Sequence, residues 1–300
     1  MDTALMLCLR DVLDRLAGEI ATQVHLLIAL TEEHRDTMAV ARTLTQAALP
    51  TTLAVKTAAW LSGVLDAAQQ LAAVRAALPV QFGGAVGTLA AVVELSGSID
   101  GAVALHETLS AALGLVPAPC WQTTRAPMTR VGDLLVGCCD AWGHIAADVA
   151  TGCRTEIGEF AEGHRGGSST MPHKNNPVKS VLIRGTALTA PALAATLHSA
   201  AAATVDERAD GAWHAEWATL RTLARRTVTA AAHTCALLAG LHVDAARMAA
   251  NLANSGDLGA EQRMMAELTG RPPAPTYLGA AHHLVDAVLD RARRYHKEMS

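Results

Sequence analysis

The sequence predicts an all-α fold: an elongated bundle of long helices with a small helical domain at its C-terminal end. Three observations predict it. Alanine and leucine dominate a chain that is 51% apolar but only 3% aromatic, a composition that favours helix over strand. Apolar residues recur at spacings of three and four over several stretches of about 25 residues or more, longer than a small globule needs. No stretch alternates polar and apolar residues with the period of a half-buried strand.

Residues 1–34 carry Leu5, Leu9, Val12, Leu16 and Ile20 at helical spacing and read as an amphipathic helix. A loop is expected over 36–50 and a second long helix over 51–78. Pro79, Gly83, Gly84 and Gly87 then make a glycine-rich turn. A helix over 98–113 leads through a loop rich in proline, with Cys120, to another long helix over 127–153, broken at Gly152. Residues 154–177 form a loop. Two more long helices cover 178–203 and 213–240, and shorter helices fill the rest. The expected division is a helical bundle over 1–242 and a small helical domain over 243–300. The apolar run after residue 177 contains Lys179, Arg184, Pro191 and His198, so it reads as a buried bundle helix and not a membrane span. Bundles of such length expose apolar faces, and association through them is expected.

Composition narrows the function. The net charge is −4 and the cations are scattered, apart from Arg291, Arg293 and Arg294, so no nucleic-acid or membrane partner is expected. The six cysteines show neither a CxxC nor a Cys/His ligand spacing. They read as reduced, partly buried thiols, with Cys138 and Cys139 on different faces of their helix. No metal and no cofactor is expected. Asp2 and Arg10 interrupt the N-terminal apolar stretch, which does not read as a signal peptide, and the expected location is cytoplasmic.

The chemistry concentrates in residues 166–177, Gly-Gly-Ser-Ser-Thr-Met-Pro-His-Lys-Asn-Asn-Pro. The glycines allow a hinge and the prolines stiffen the far side. Lys174 is a point charge suited to a carboxylate, and Asn176 offers both a donor and an acceptor. Backbone N–H groups near Gly167 and Ser168 suit a developing oxyanion. Ser168 or Ser169 would serve as base or nucleophile. No Gly-Lys-Ser/Thr follows a strand, which excludes a P-loop.

At these residues the chain resembles the fumarase/aspartase superfamily, whose signature Gly-Ser-Ser-x-Met-Pro-x-Lys-x-Asn is matched from Gly167 to Asn176 without a departure. The resemblance implies that Ser168 is the catalytic base. It implies that Lys174 and Asn176 hold a substrate carboxylate, with Ser169 and Met171 lining the same site. It implies proton transfer α to a carboxylate through an aci-carboxylate intermediate. It also implies a homotetramer whose active sites are shared between subunits.

Further segments are similar to the lactonising branch of that superfamily, the bacterial 3-carboxy-cis,cis-muconate cycloisomerases. They include Lys56-Thr57-Ala58-Ala59-Trp60-Leu61, residues 81–90, Glu156-Ile157-Gly158-Glu159 and Trp213-His214-Ala215-Glu216-Trp217. Arg42-Thr43-Leu44-Thr45-Gln46 looks like the superfamily's second motif, but Leu44 stands where most members have histidine. A lyase expelling an amine or hydroxide needs an acid there. A carboxylate leaves or adds without one, since its conjugate acid has a pKa of about 4. Leu44 therefore fits lactonisation of a di- or tricarboxylate in aromatic-compound breakdown. The alternatives are another lyase of the superfamily, acting on a small dicarboxylate or adenylosuccinate, and a non-catalytic paralogue.

Thr43 and Gln46 would bind carboxylate or hold their loop by hydrogen bonds. Thr88 would line the site or close the glycine turn. Arg208 matches a family arginine that contacts substrate, and an exposed salt bridge is its other reading. His214 reads as a packed core or interface histidine and not a catalyst, His164 and His173 as solvated, and Met264 and Met265 as core. Ala126 follows Arg125 where the family usually has aspartate. Met1-Asp2-Thr3-Ala4 looks like the tail of the family's first active-site motif. On that resemblance a family N-terminal domain of roughly 100 residues is expected to be absent from this chain.

Overall fold

The computed structural model describes residues 1–163, 166–167, 171 and 174–299. Among them the chain is all-α, with ten helices and six short strands. The long helices are α1 (Asp2–Glu33), α2 (Leu53–Ala76), α5 (Ala126–Gly152), α6 (Val178–Ala202) and α7 (Gly211–Ala239). Shorter ones are α3 (Ala90–Ser96), α4 (Ile99–Leu113), α8 (Ala245–Ala253), α9 (Ala260–Thr269) and α10 (Ala281–Met299). Each expected long helix is present within two residues of its expected ends.

Two compact units share these helices. The first comprises residues 1–20, 66–143 and 185–232. Its core includes Leu13, Leu16, Trp121, Met128, Leu135 and Trp142, each worth about 1.5–3 kcal/mol on burial. Glycines on α5 set the approach of α6: a Cβ at Gly132 would lie 2.8 Å from Leu197 and one at Gly143 2.7 Å from Ala187. The second unit comprises residues 21–65, 144–184 and 233–300. Its core includes Leu27, Leu53, Trp60, Ile145, Phe160 and Leu289.

Several expectations are corrected. The segment read as a loop is an antiparallel hairpin, β1 (Met38–Thr43) and β2 (Gln46–Thr52), with a register irregularity between Val40 and Arg42. Alanine, threonine and Pro50 hide it, because none gives a two-residue apolar pattern. Helix α3 follows the glycine turn within two residues of Thr88 and is too short for a helical period. Helix α6 is not buried within the chain, since only 28% of its most apolar window is covered. It is long and apolar enough to cross a membrane by length and composition. Met264 and Met265 are exposed and not core. Cys138 and Cys139, adjacent on α5, are both buried while Cys8 is exposed, in line with the expected partly buried set of thiols.

Candidate active site

The second motif sits at the head of the hairpin. Leu44 and Thr45 make the two-residue turn with φ of +47° and +72°, the left-handed backbone that matches the twist of paired strands. Asparagine or glycine takes this conformation readily; leucine adopts it at a cost of about 1–2 kcal/mol. The Leu44 side chain is 96% exposed. Thr43 and Gln46 pair across the ladder and are exposed; the Gln46 amide donates to the Thr45 hydroxyl at 3.4 Å. Arg42 is a strut. Its guanidinium donates twice to Glu159, at 3.0 and 2.7 Å, and the Asn251 amide donates to the same carboxylate at 2.8 Å. Two motifs read separately in the sequence thus form one buried-edge ion pair.

The loop base is built from β3 (Phe160–Glu162), β4 (Gly166–Gly167) and β5 (Asn175–Asn176). Glu162, buried, accepts from the Lys179 and Ser180 backbone N–H groups at 3.0 and 2.9 Å and from the Ser180 hydroxyl at 2.7 Å. A carboxylate on those orphan donors caps the start of α6 and favours the helix dipole. Gly166 pairs with Asn176 and Gly167 with Asn175, which closes the loop on itself. The Lys174 N–H donates to the Met171 carbonyl at 2.9 Å. The Lys174 side chain is exposed and has no acidic partner among the described residues. Met171 is exposed and Asn176 half-buried. Ser168, Ser169, His164 and His173 lie outside the described residues.

The glycine turn lies in the other unit. Gly84 and Gly87 have φ of +71° and +86°, so a side chain at either would be strained. A Cβ at Gly83 would meet Cys120 Sγ at 2.5 Å. Gln81 is held on four sides: its carbonyl and N–H by the Thr3 hydroxyl, and its side chain by Gln122 and the Trp121 N–H. Arg208 donates to the Gly84 and Ala85 carbonyls at 3.1 and 3.0 Å and lies 5.7 Å over the Trp213 ring. It makes no salt bridge among the described residues. The structure therefore brings Arg208 to the turn that ends at Thr88, itself exposed. A cavity of about 280 Å³ opens here, lined by Gln81, Phe82, Gly84, Gln122 and Arg208. His214 is exposed, its Nδ1 2.8 Å from the Asp210 carbonyl and its ring against Trp217. That excludes a core position within the chain and leaves the interface reading.

Behind the turn sits a cluster that sequence reasoning gave no role. Arg125 is 1% exposed. It donates to Asp2 at 2.7 and 3.2 Å and to Glu216 at 3.0 and 3.1 Å. Trp213 Nε1 donates to Asp2 at 3.2 Å. Burial works against the guanidinium charge, but the hydrogen bonds to Glu216 and Asp2 outweigh it and raise the Arg125 pKa above the ordinary arginine value. All three residues fall in segments carrying the family resemblance. Their distance along the chain concealed that they meet. Glu162 was missed in the same way, because a cap reaching 17 residues ahead leaves no local pattern.

A family model described as lyase matches residues 1–191. Nitrosuccinate lyase of Streptomyces davaonensis is 42% identical over 94% of this chain and 61% of its own length. The 3-carboxy-cis,cis-muconate cycloisomerase of Bradyrhizobium diazoefficiens is 39% identical over 97% of this chain and 63% of its own. This chain thus spans less than two thirds of the length of these relatives. The crystal structure of the 3-carboxy-cis,cis-muconate lactonizing enzyme from Pseudomonas putida superposes with a TM-score of 0.85 at 30% identity, covering 98% of this chain and 76% of that one.

Proposed function

The chain belongs to the lyase family, that of the fumarase/aspartase superfamily, and from that premise we propose that it transforms a small di- or tricarboxylate without acid assistance at the β carbon. A proton moves at the carbon α to one carboxylate, while the group that leaves or adds at β does so as a stable anion. The observation that carries this reading is Leu44. An apolar side chain heads the hairpin where most superfamily lyases present histidine.

Within that chemistry the reaction is lactonisation of 3-carboxy-cis,cis-muconate, a step of protocatechuate breakdown. One substrate carboxylate attacks the conjugated diene and closes a five-membered ring. Electron density moves onto another carboxylate, and Ser168 delivers the proton to carbon. Lys174 and Asn176 take the developing charge, with Ser169 and Met171 beside them. The exposed Lys174 ammonium, with no described acid beside it, supports this assignment. Thr43 and Gln46 on the hairpin, and separately Thr88 with Arg208 on the glycine turn, are further candidates for carboxylate contact. Arg208 supports its part by keeping a charge that no described carboxylate neutralises. The protein acts as a cytoplasmic homotetramer with shared active sites, and residues 243–300 fold as a small domain beside a bundle of residues 1–242.

A second reading is favoured by the 42% identical relative, whose name makes nitrosuccinate its substrate. A nitro group leaves as nitrite, the anion of an acid of roughly carboxylic strength, so Leu44 suits that elimination equally. One experiment separates the two. The chain and its Ser168→Ala variant are mixed with 3-carboxy-cis,cis-muconate, followed by loss of diene absorbance, and with nitrosuccinate, followed by nitrite release. Diene loss abolished by the variant establishes lactonisation. Nitrite release abolished by the variant establishes the second reading. Neither signal rejects both for this chain.

A further inference from the structure

The second unit holds a cavity of about 510 Å³, within the range of small-molecule sites, that the proposed reaction does not use. The hairpin stem, the first turns of α2, the last turns of α5 and Met248 of α8 enclose it. Met171, Lys174, Asn176, Thr43 and Gln46 do not line it.

Its charges do not balance. Glu159 is occupied by Arg42. Asp148 is occupied by the Lys56 ammonium at 3.1 Å and the Trp60 indole N–H at 2.8 Å, with His144 at 3.5 Å. Arg154 lines the same space, and its guanidinium has no acidic partner among the described residues. Three permanent cations therefore face two carboxylates. A second observation is independent of charge. Thr52 lines the cavity, is 1% exposed, and its hydroxyl has no hydrogen-bond partner. Buried hydroxyls are rarely left so. The remaining wall is apolar, with Val40, Ala59, Phe160 and Met248.

We propose that this cavity binds a small organic carboxylate with an apolar body, its carboxylate paired to Arg154 and hydrogen-bonded by Thr52. A guanidinium without a counter-ion and a hydroxyl without an acceptor are both satisfied by one anion. The apolar wall selects an aryl or alkyl chain over inorganic phosphate. The loop lysine does not line the site, and the proposal stands whether or not the lactonising reading holds.

The test is calorimetric titration of the 300-residue chain with benzoate and with hexanoate, and with phosphate as the apolar-free control. Saturable binding of at least one carboxylate is expected, with phosphate at least tenfold weaker. Arg154→Ala should weaken the carboxylate at least tenfold and Thr52→Val several-fold. Lys174→Ala should leave it unchanged. Circular dichroism confirms that each variant is folded; Arg154, being exposed, is not needed for folding. The proposal is overturned if neither carboxylate binds, if Arg154→Ala binds as the parent does, or if Lys174→Ala is the variant that loses binding.

Discussion

A leucine at φ +47° heading a hairpin costs about 1–2 kcal/mol, and at 96% exposure its side chain recovers little of that within the chain. Leu44→Asn should therefore raise stability by about 0.5–1 kcal/mol, a rise of roughly 1–4 °C in Tm by calorimetry. A fall would show that Leu44 is covered by another copy in solution. Arg125 is the opposite case. Removing it in Arg125→Met leaves the Asp2 and Glu216 carboxylates buried without a counter-charge, an expected loss of about 3–5 kcal/mol in chemical denaturation. Arg208→Met, at an exposed site, should cost less than about 1 kcal/mol. Equal losses would contradict the buried-cluster account. The thiols divide on similar grounds. Burial pushes Cys139 up to about 11 and Cys138 to about 12, so neither forms thiolate near pH 8. Cys8 is exposed. A thiol reagent at pH 8 should label Cys8 first and the α5 pair only in denaturant; labelling of the pair within minutes under native conditions would mean that α5 opens.

At the scale of elements, α6 depends on a residue outside itself. Glu162→Gln keeps the shape but removes the charge that three donors share, and should cost about 1–2 kcal/mol. Hydrogen exchange should rise at Lys179 and Ser180; unchanged exchange there would show that the cap is dispensable. Helix α10 is tied to the end of α1 by Arg35, which donates to Asp286 at 2.6 and 2.8 Å. That hydrogen bond holds the Asp286 carboxyl below its ordinary value. Its contribution is present above the unfolded pKa of about 4 and disappears as pH falls through the lower folded value. Asp286→Asn should flatten the acid limb of the stability curve and converge with the parent below that value. The contrast with the hairpin explains what the sequence made legible. Long helices repeat their period over many turns, so α1, α2, α5, α6 and α7 could be placed from Leu5, Leu9 and their equivalents. The hairpin rests on a turn conformation that leucine and threonine do not advertise. The Arg125 cluster joins residues 2, 125 and 216, and Glu162 caps from 17 positions away. Pairing of that kind depends on tertiary packing, which no local pattern records. Lys174 and Asn176 could be nominated from the sequence because their motif is contiguous.

For the whole molecule, the exposed apolar surface is the fact to be explained. Val178, Val181, Leu182 and Leu188 are exposed along α6, and Leu95 and Ile99 on α3 and α4 add to them. A soluble monomer rarely leaves so much apolar surface uncovered. A membrane-spanning helix would also present such a face, but α6 carries Lys179 and Arg184 within its first two turns, which a bilayer core tolerates poorly. Packing of α6 against other copies is the better account, and closed symmetric assembly would cover the face on every subunit. Light scattering should give a mass of about 125 kDa, four times the 31.2 kDa chain. Introducing charge on the face with Val181→Glu and Leu188→Glu should yield a folded monomer at the same concentration. If the active sites are shared as proposed, the proposed activity should be lost with it, while carboxylate binding at Arg154 should persist. A parent chain that is monomeric at every concentration would reject the tetramer. A dissociated double variant with full activity would reject shared sites while leaving the assembly intact.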